Sequence, residues 1–175
     1  MKRTGAIVID ASFAMTILLD EDDGPAAGRA MAAWVTDGDR LVVPAHFWLE
    51  VVNALSLRHR RPGSFVLEAV HRLDTFGLET VDVDRALVIL SIDLAERHHL
   101  SAYDAAYLAV ASSLDASIAT FDSALRRAAG SRVVRLGETR LSETPATYEH
   151  PVTWPSYRGA SAYLSKLRAE AARPG

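Results

Sequence analysis

Short apolar runs alternate with longer segments of helical character along residues 1–136 of the chain. Each short run contains four to six mostly β-branched or aliphatic residues, a length and composition typical of a strand that is buried in a sheet. The runs predict strands at residues 5–10, 40–44, 78–83, 116–120 and 132–136.

The segments between these runs carry the periodicity of helices. In residues 64–77, for example, Val66, Val70 and Leu73 recur at spacings of three and four and so share one helical face. The pattern predicts helices at residues 11–19, 25–35, 45–60, 64–77, 84–99, 100–114 and 122–130. Strands that alternate with helices indicate an α/β domain with a mostly parallel central sheet flanked by helices.

The character of the sequence changes at residue 137. Residues 137–156 contain three prolines and no periodicity, which predicts an extended linker. An amphipathic helix is predicted after it, with an apolar stripe formed by Tyr157, Ala160, Leu164, Leu167 and Ala171. We expect this stripe to pack on its own domain, and a dimer or partner contact is the alternative. The chain is thus divided into a domain at residues 1–136 and a helical tail at residues 137–175.

Composition narrows the class of protein. The chain has 175 residues, 49% of them hydrophobic, so it can bury the core of one folded domain. It has no cysteine, which excludes disulfides, thiol catalysis and cysteine-based zinc sites and fits a cytoplasmic protein. Asp10 interrupts the N-terminal apolar run, so no secretory signal is expected. No run reaches the roughly 18 apolar residues of a membrane span.

Charge leaves the question of a nucleic-acid partner open. The net charge of −3 does not suggest nucleic-acid binding. Two local basic clusters contrast with that average, one at residues 58–61 and one at Arg126 and Arg127. Each cluster could equally be the solvated end of a helix.

Two aspartates follow predicted strands. Asp10 ends the first strand, and Asp122 follows the strand at residues 116–120 after one intervening residue. Ligands of open parallel sheets bind outside the carboxyl ends of the strands, so these two acids could meet in one crevice. Each aspartate also immediately precedes a predicted helix, and the alternative is that both are helix N-caps.

Two further carboxylates lie in otherwise apolar helices. Asp104 is the only charged residue between positions 100 and 114, where an unpaired buried carboxylate would be costly. Ser101 and Asp104 also match a capping box, which offers a structural reason for that charge. Glu50 lies among aromatic and aliphatic residues, with Asn53 about one turn further on the same helical face.

The four carboxylates together point to a cation. If Asp10, Glu50, Asp104 and Asp122 meet, they repel one another and do not all ionise without a counter-charge. Mg²⁺ or Mn²⁺ suits a site of carboxylate and water oxygens. We expect Asp10 and Asp104 to be direct ligands, Glu50 and Asp122 to act through water or to orient the nucleophile, and no histidine to act as general base.

The residues around these acids resemble the successive sequence blocks of one family. The blocks are, in chain order, IVIDASFAM, VPAHFWLEVVNAL and LSAYDAAYLAVASSLDASIATFDSAL. They are similar to those of PIN-domain ribonucleases, specifically the VapC-type toxins of toxin–antitoxin pairs. The resemblance runs from about Ile7 to Leu136, roughly three-quarters of the chain.

The resemblance implies a fold, a site and an activity. Its acidic site corresponds to the four carboxylates already named, with supporting hydroxyls at Ser12 and Thr120 and a supporting amide at Asn53. It implies a PIN-like nuclease domain at residues 1–136 that cleaves RNA phosphodiester bonds. It also implies a homodimer and a VapB-type antitoxin as protein partner.

Departures and rival interpretations qualify this assignment. Some family members carry a further acid just after the fourth, where this chain has Ser123 and Ala124, so a second metal ion would be weakly held. A phosphatase-like α/β enzyme is disfavoured because the only lysines, Lys2 and Lys166, lie outside the predicted core. An RNA-processing PIN nuclease that is not a toxin, or an inactive PIN-fold interaction protein, are the alternatives.

Overall fold

A parallel four-stranded sheet forms the centre of the protein. The computed structural model describes residues 5–136. The strands are β1 (Ala6–Ile9), β2 (Arg40–Pro44), β3 (Glu79–Val81) and β4 (Ser117–Ala119). Their order in the sheet is β3–β2–β1–β4, and each neighbouring pair is parallel. The predicted α/β class is therefore confirmed, whereas the linker and tail predicted at residues 137–175 lie outside the described residues.

Seven α-helices connect and cover these strands in the described part of the chain. They are α1 (Ala11–Leu18), α2 (Gly24–Thr36), α3 (Phe47–Asn53), α4 (Gly63–Asp74), α5 (Arg85–His98), α6 (Ala102–Ser113) and α7 (Ser123–Ala129). Helix α6 is apolar on nearly all sides because it contacts β1, β2 and β4 and is covered by α5. None of the described helices has the length and apolar character that crossing a bilayer requires.

The order of the strands fixes where a ligand site can form. The chain proceeds from β1 to β2 and β3 towards one edge of the sheet, and then crosses back to β4 on the other side of β1. The strand order therefore reverses between β1 and β4, and ligand sites in such sheets lie at the carboxyl ends of the strands at this point. Ile9 pairs with Ala119, so the residues that follow them lie side by side.

The two central strands explain the apolar runs of the sequence. Val8 and Ile9 of β1 and Val42 and Val43 of β2 are fully buried. Strands of a parallel sheet that is covered on both faces read as continuous apolar runs rather than alternating ones. Burial of these strands accounts for why β1 and β2 were predictable from composition alone.

Two predicted elements differ from the structure. The strand predicted at residues 132–136 reduces to one parallel bridge between Val133 and Ile118, because a 3₁₀ turn occupies Gly130–Arg132 and β4 offers only three paired residues. The helix predicted at residues 45–60 is α-helical only over α3 and continues as a π-helical segment, Ala54–Arg58. The chain leaves this wider turn just before Pro62, which cannot continue a helix.

Candidate active site

Asp10 lies at the carboxyl end of β1 and is almost completely buried. Its Oδ2 atom accepts three hydrogen bonds: from the Ser12 backbone N–H (3.3 Å), from the Ser12 hydroxyl and from the Thr120 hydroxyl (2.7 Å). The first of these makes Asp10 the N-cap of α1, as its position before a helix predicted. The capping role predicted for Asp10 is therefore confirmed, and its place in a ligand crevice stays a prediction.

The segment after β4 is held against Asp10 by the same two hydroxyls. Ser12 Oγ accepts hydrogen bonds from the backbone N–H groups of Phe121 (3.0 Å) and Asp122 (3.2 Å). Thr120 Oγ1 accepts a further bond from the Asp122 N–H (2.9 Å). Ser12 and Thr120 thus join the ends of β1 and β4 and orient the Asp10 carboxylate between them.

Asp122 and Asp104 both lie at the start of a helix. Asp122 is the N-cap of α7, and its Oδ1 accepts the Leu125 N–H (2.7 Å). At the start of α6 the Ser101 hydroxyl accepts the Asp104 N–H (3.1 Å) and donates to Asp104 Oδ2 (2.6 Å). The predicted capping box at Ser101 is therefore present in modified form. The Asp104 carboxylate accepts its hydrogen bond from the Ser101 hydroxyl rather than from the Ser101 backbone N–H.

Glu50 reaches the site from α3 and is anchored by α6. The hydroxyl of Tyr107, a fully buried residue, donates a hydrogen bond to Glu50 Oε2 (2.5 Å). His46, one turn earlier on the same side of the chain, places Nε2 3.6 Å from that oxygen. The rings of His46 and Tyr107 pack edge to face, with their centroids 5.0 Å apart.

Electrostatics link three of the four carboxylates. Burial raises the pKa of Asp10 above its usual 3.8, and the nearby charge of Asp104 raises it further. The hydrogen bonds from Ser12 and Thr120 act in the opposite direction and lower this pKa. Burial also raises the pKa of Glu50 above 4.5, the Tyr107 bond opposes this, and the charges of Asp10 and Asp104 add to it. The charge of Asp104 therefore disfavours ionisation of Asp10, and the charges of both aspartates disfavour ionisation of Glu50.

Sequence and fold comparisons identify the family to which this arrangement belongs. Residues 7–131 match the sequence model of the PIN domain. This chain belongs to the PIN-domain family. No curated protein matches it in sequence.

Solved structures share the fold of this PIN domain. A toxin–antitoxin complex from Klebsiella pneumoniae is 18% identical, with coverage of 74% of this chain and 97% of the other and a TM-score of 0.57. VapC20 of Mycobacterium tuberculosis, a toxin that cleaves the sarcin–ricin loop, is 21% identical, with coverage of 74% and 99% and a TM-score of 0.58. PAE2754 from Pyrobaculum aerophilum is 20% identical, with coverage of 72% and 81% and a TM-score of 0.54. These likenesses confirm the predicted PIN-like fold.

The carboxylates of the PIN domain share one feature that bears on cation binding. In each of the four, one oxygen accepts the protein hydrogen bonds and the other accepts none from the described residues. Within residues 5–136, no three Asp, Glu or His side chains are arranged closely enough to hold a metal ion between them. The donor set fits Mg²⁺ or Mn²⁺, which bind carboxylate oxygens and commonly keep several waters.

Asn53 has no hydrogen bond that ties it to the predicted site carboxylates. It ends α3, and its side chain is exposed. Its supporting role stays a prediction.

Two residues of the site were not predicted from the sequence. His46 could have been noticed because it stands four residues before Glu50, a spacing that places two side chains on one helical face. Burial lowers the pKa of His46 below 6.5, and its Nε2 has no hydrogen-bond partner among the described residues. Tyr107 gave no signal beyond its apolar surroundings, because its contact with Glu50 depends on how α3 and α6 pack.

Proposed function

We propose that this PIN domain is a metal-dependent endoribonuclease that hydrolyses RNA phosphodiester bonds with Mg²⁺ or Mn²⁺. The observation that carries the proposal is that Asp10, Glu50, Asp104 and Asp122 each keep one carboxylate oxygen that accepts no hydrogen bond from a described residue. The charge of Asp104 disfavours ionisation of Asp10 and of Glu50, and a hard divalent cation is the counter-charge that would relieve this.

Asp10 and Asp104 are the proposed direct ligands, and Glu50 and Asp122 act through water. A bound divalent ion lowers the pKa of a coordinated water and stabilises negative charge on the phosphate. The protein's own contribution is to fix the orientation of the carboxylates. Ser12 and Thr120 hold one oxygen of Asp10, which leaves Oδ1 free of described hydrogen bonds.

Glu50 is the proposed proton acceptor of the reaction. In hydrolysis the water oxygen forms a bond to phosphorus, the bond from phosphorus to one ribose oxygen breaks, and that oxygen takes up a proton. Tyr107 fixes Glu50 Oε2 by its hydrogen bond, so Oε1 remains free to accept the proton of the attacking water. The raised pKa of Glu50 makes its carboxylate a better base than an ordinary glutamate.

Arginines near the site supply charge for the RNA backbone. Arg126 and Arg127 lie on α7, about one turn after Asp122, and are exposed. Neither forms an ion pair with a residue in the described range, so their charge is available to phosphates. The net charge of −3 is therefore compatible with RNA binding through a local surface.

The structural relatives support a role as the toxin of a VapBC-type pair. VapC20 cleaves RNA as a toxin, and the Klebsiella pneumoniae relative was solved as a toxin–antitoxin complex. On this basis we propose a VapB-type antitoxin partner, a homodimer and a cytoplasmic location. An RNA-processing nuclease that is not a toxin, or an inactive interaction protein, is the alternative.

Cleavage of total cellular RNA by the purified full-length chain tests the activity. We expect discrete fragments with Mg²⁺ or Mn²⁺, none with EDTA and none from Asp104→Asn. Asp115→Asn is the matched control, because Asp115 is exposed beyond the far end of α6 and Asn tolerates its positive φ of 48°. Equal cleavage by Asp104→Asn and the wild type would refute a role for the acidic site.

A further inference from the structure

An open groove adjoins the candidate site. It has a volume of about 640 Å³ and lies between the start of α3, the start of α6 and the outer face of α5. Its apolar surface comes from Leu49, Val88, Ile92 and Tyr103, all of which are exposed. A sizeable apolar surface of this kind usually marks a binding site.

The groove is continuous with the acidic site. His46 lines the groove and also stands 3.6 Å from the carboxylate of Glu50. Tyr103, on the groove wall, immediately precedes Asp104, and its ring centroid lies 5.6 Å from that of His46. A molecule whose reacting group meets Glu50 and Asp104 therefore has this groove as the nearest surface for its neighbouring part.

The charges at the groove favour one part of a nucleotide over another. Asp82 and Asp84 line it, and both are exposed. Asp84 Oδ1 caps α5 through the Leu87 N–H (2.9 Å), whereas Asp82 forms no hydrogen bond with a described residue. Carboxylates repel phosphate but accept hydrogen bonds from the amino groups of bases, as they do from cytosine N4.

We infer that this groove binds an unpaired nucleobase next to the scissile phosphate, with Tyr103 as the stacking surface and Asp82 as an acceptor of base N–H groups. The inference rests on the proposed ribonuclease function and adds the element that selects the RNA sequence. The Tyr103 ring is 62% exposed, so one face is open to a base. Single-stranded RNA is read in this way, by stacking on aromatic rings and hydrogen bonds to base edges.

The first test compares cleavage rates and positions on the same RNA. Tyr103→Ala should lower kcat/KM roughly 5- to 150-fold, the range for loss of one base–aromatic stack, mainly through KM. Tyr103→Phe should lower kcat/KM far less than Tyr103→Ala, because the ring remains. Ile92→Ala should weaken cleavage, whereas Ile89→Ala should not, since Ile89 is similarly exposed on α5 (57% against 61%) but does not line the groove. Unchanged rates and cleavage positions in Tyr103→Ala would overturn the inference and leave the nuclease proposal intact.

A second test does not depend on cleavage. Uncharged nucleosides added to the full-length chain should shift the NMR signals of Tyr103 and Ile92, and ribose 5-phosphate, which lacks a base, should not. The shifts should disappear in Tyr103→Ala and persist in Tyr103→Phe. Absence of nucleoside shifts would overturn the inference. A change of oligomeric state in Ile92→Ala, together with absent nucleoside binding, would also overturn it and would identify the groove as a protein-binding surface.

Discussion

Replacement of Tyr107 by phenylalanine tests how the site is held together. The substitution removes one buried hydroxyl and keeps the ring, so it leaves Glu50 Oε2 without its donor and opens no large cavity. A hydrogen bond to a charged group contributes about 1.5–3 kcal/mol, so the free energy of unfolding should fall by that amount at neutral pH. For a chain of this length the melting temperature should fall by roughly 3–12 °C.

The pH dependence of that loss is the more specific signature. The Tyr107 bond opposes the burial that raises the pKa of Glu50, so its removal should raise that pKa further. A carboxyl group with a raised folded pKa costs stability when it ionises, so the difference between variant and wild type should be largest above the folded pKa of Glu50. It should shrink as pH falls below that value, because the carboxyl is then protonated in both proteins.

Urea unfolding across a pH series, with NMR titration of Glu50, measures both effects. Tyr103→Phe is the matched control, since Tyr103 lies one turn earlier on α6 and is exposed. An unfolding free energy and a Glu50 pKa that are unchanged in Tyr107→Phe would refute the hydrogen bond as an anchor of the site.

Three further substitutions separate charge, capping and positioning. Without divalent ions, Asp10→Asn should unfold at a higher urea concentration than wild type at pH 7, but not near pH 3. Because the pKa of Asp10 is raised in the folded protein, ionisation of its carboxyl group destabilises wild type as the pH rises through that folded pKa, and Asn does not ionise. Equal midpoints at pH 7 would contradict this. Ser12→Ala should lower the unfolding free energy by about 1–3 kcal/mol, since the Phe121 N–H loses its acceptor, whereas the Asp122 N–H keeps Thr120 Oγ1; a melting curve that matches wild type would contradict it. Asp122→Asn should keep the cap of α7 and lose cleavage activity, whereas Asp122→Ala should lose both, at a cost of about 1 kcal/mol in urea unfolding. Full activity in Asp122→Asn would leave Asp122 as a cap alone.

The sequence predicts what depends on local pattern and on strand ends. β1 and β2 are readable because both faces are buried, and the meeting of the elements that carry Asp10 and Asp122 follows from the rule for the carboxyl ends of parallel strands. The prediction of a fifth strand was wrong. It was based on the apolar residues Val133 and Val134, but the turn at Gly130 leaves room for only one bridge to β4. The spacing of side chains along one segment cannot reveal how many of its residues pair, because that number also depends on the length of the neighbouring strand.

Contacts between separate helices account for the rest. The approach of Tyr107 on α6 to Glu50 on α3, residues 57 positions apart, depends on tertiary packing that no periodicity encodes. The same packing places His46 beside Tyr103. Glu50 and Asp104 could be singled out in the sequence because charges are unusual in apolar helices, whereas an aromatic residue among apolar ones carries no such signal.

Direct titration of Mn²⁺ into the full-length chain, followed by electron paramagnetic resonance, tests the central claim that the carboxylates form a cation site. The account predicts saturable binding to wild type at pH 7, competition by Mg²⁺, and loss of binding in Asp10→Asn and Asp104→Asn but not in Asp115→Asn. Binding of equal strength in all four proteins, or none in wild type, would contradict it.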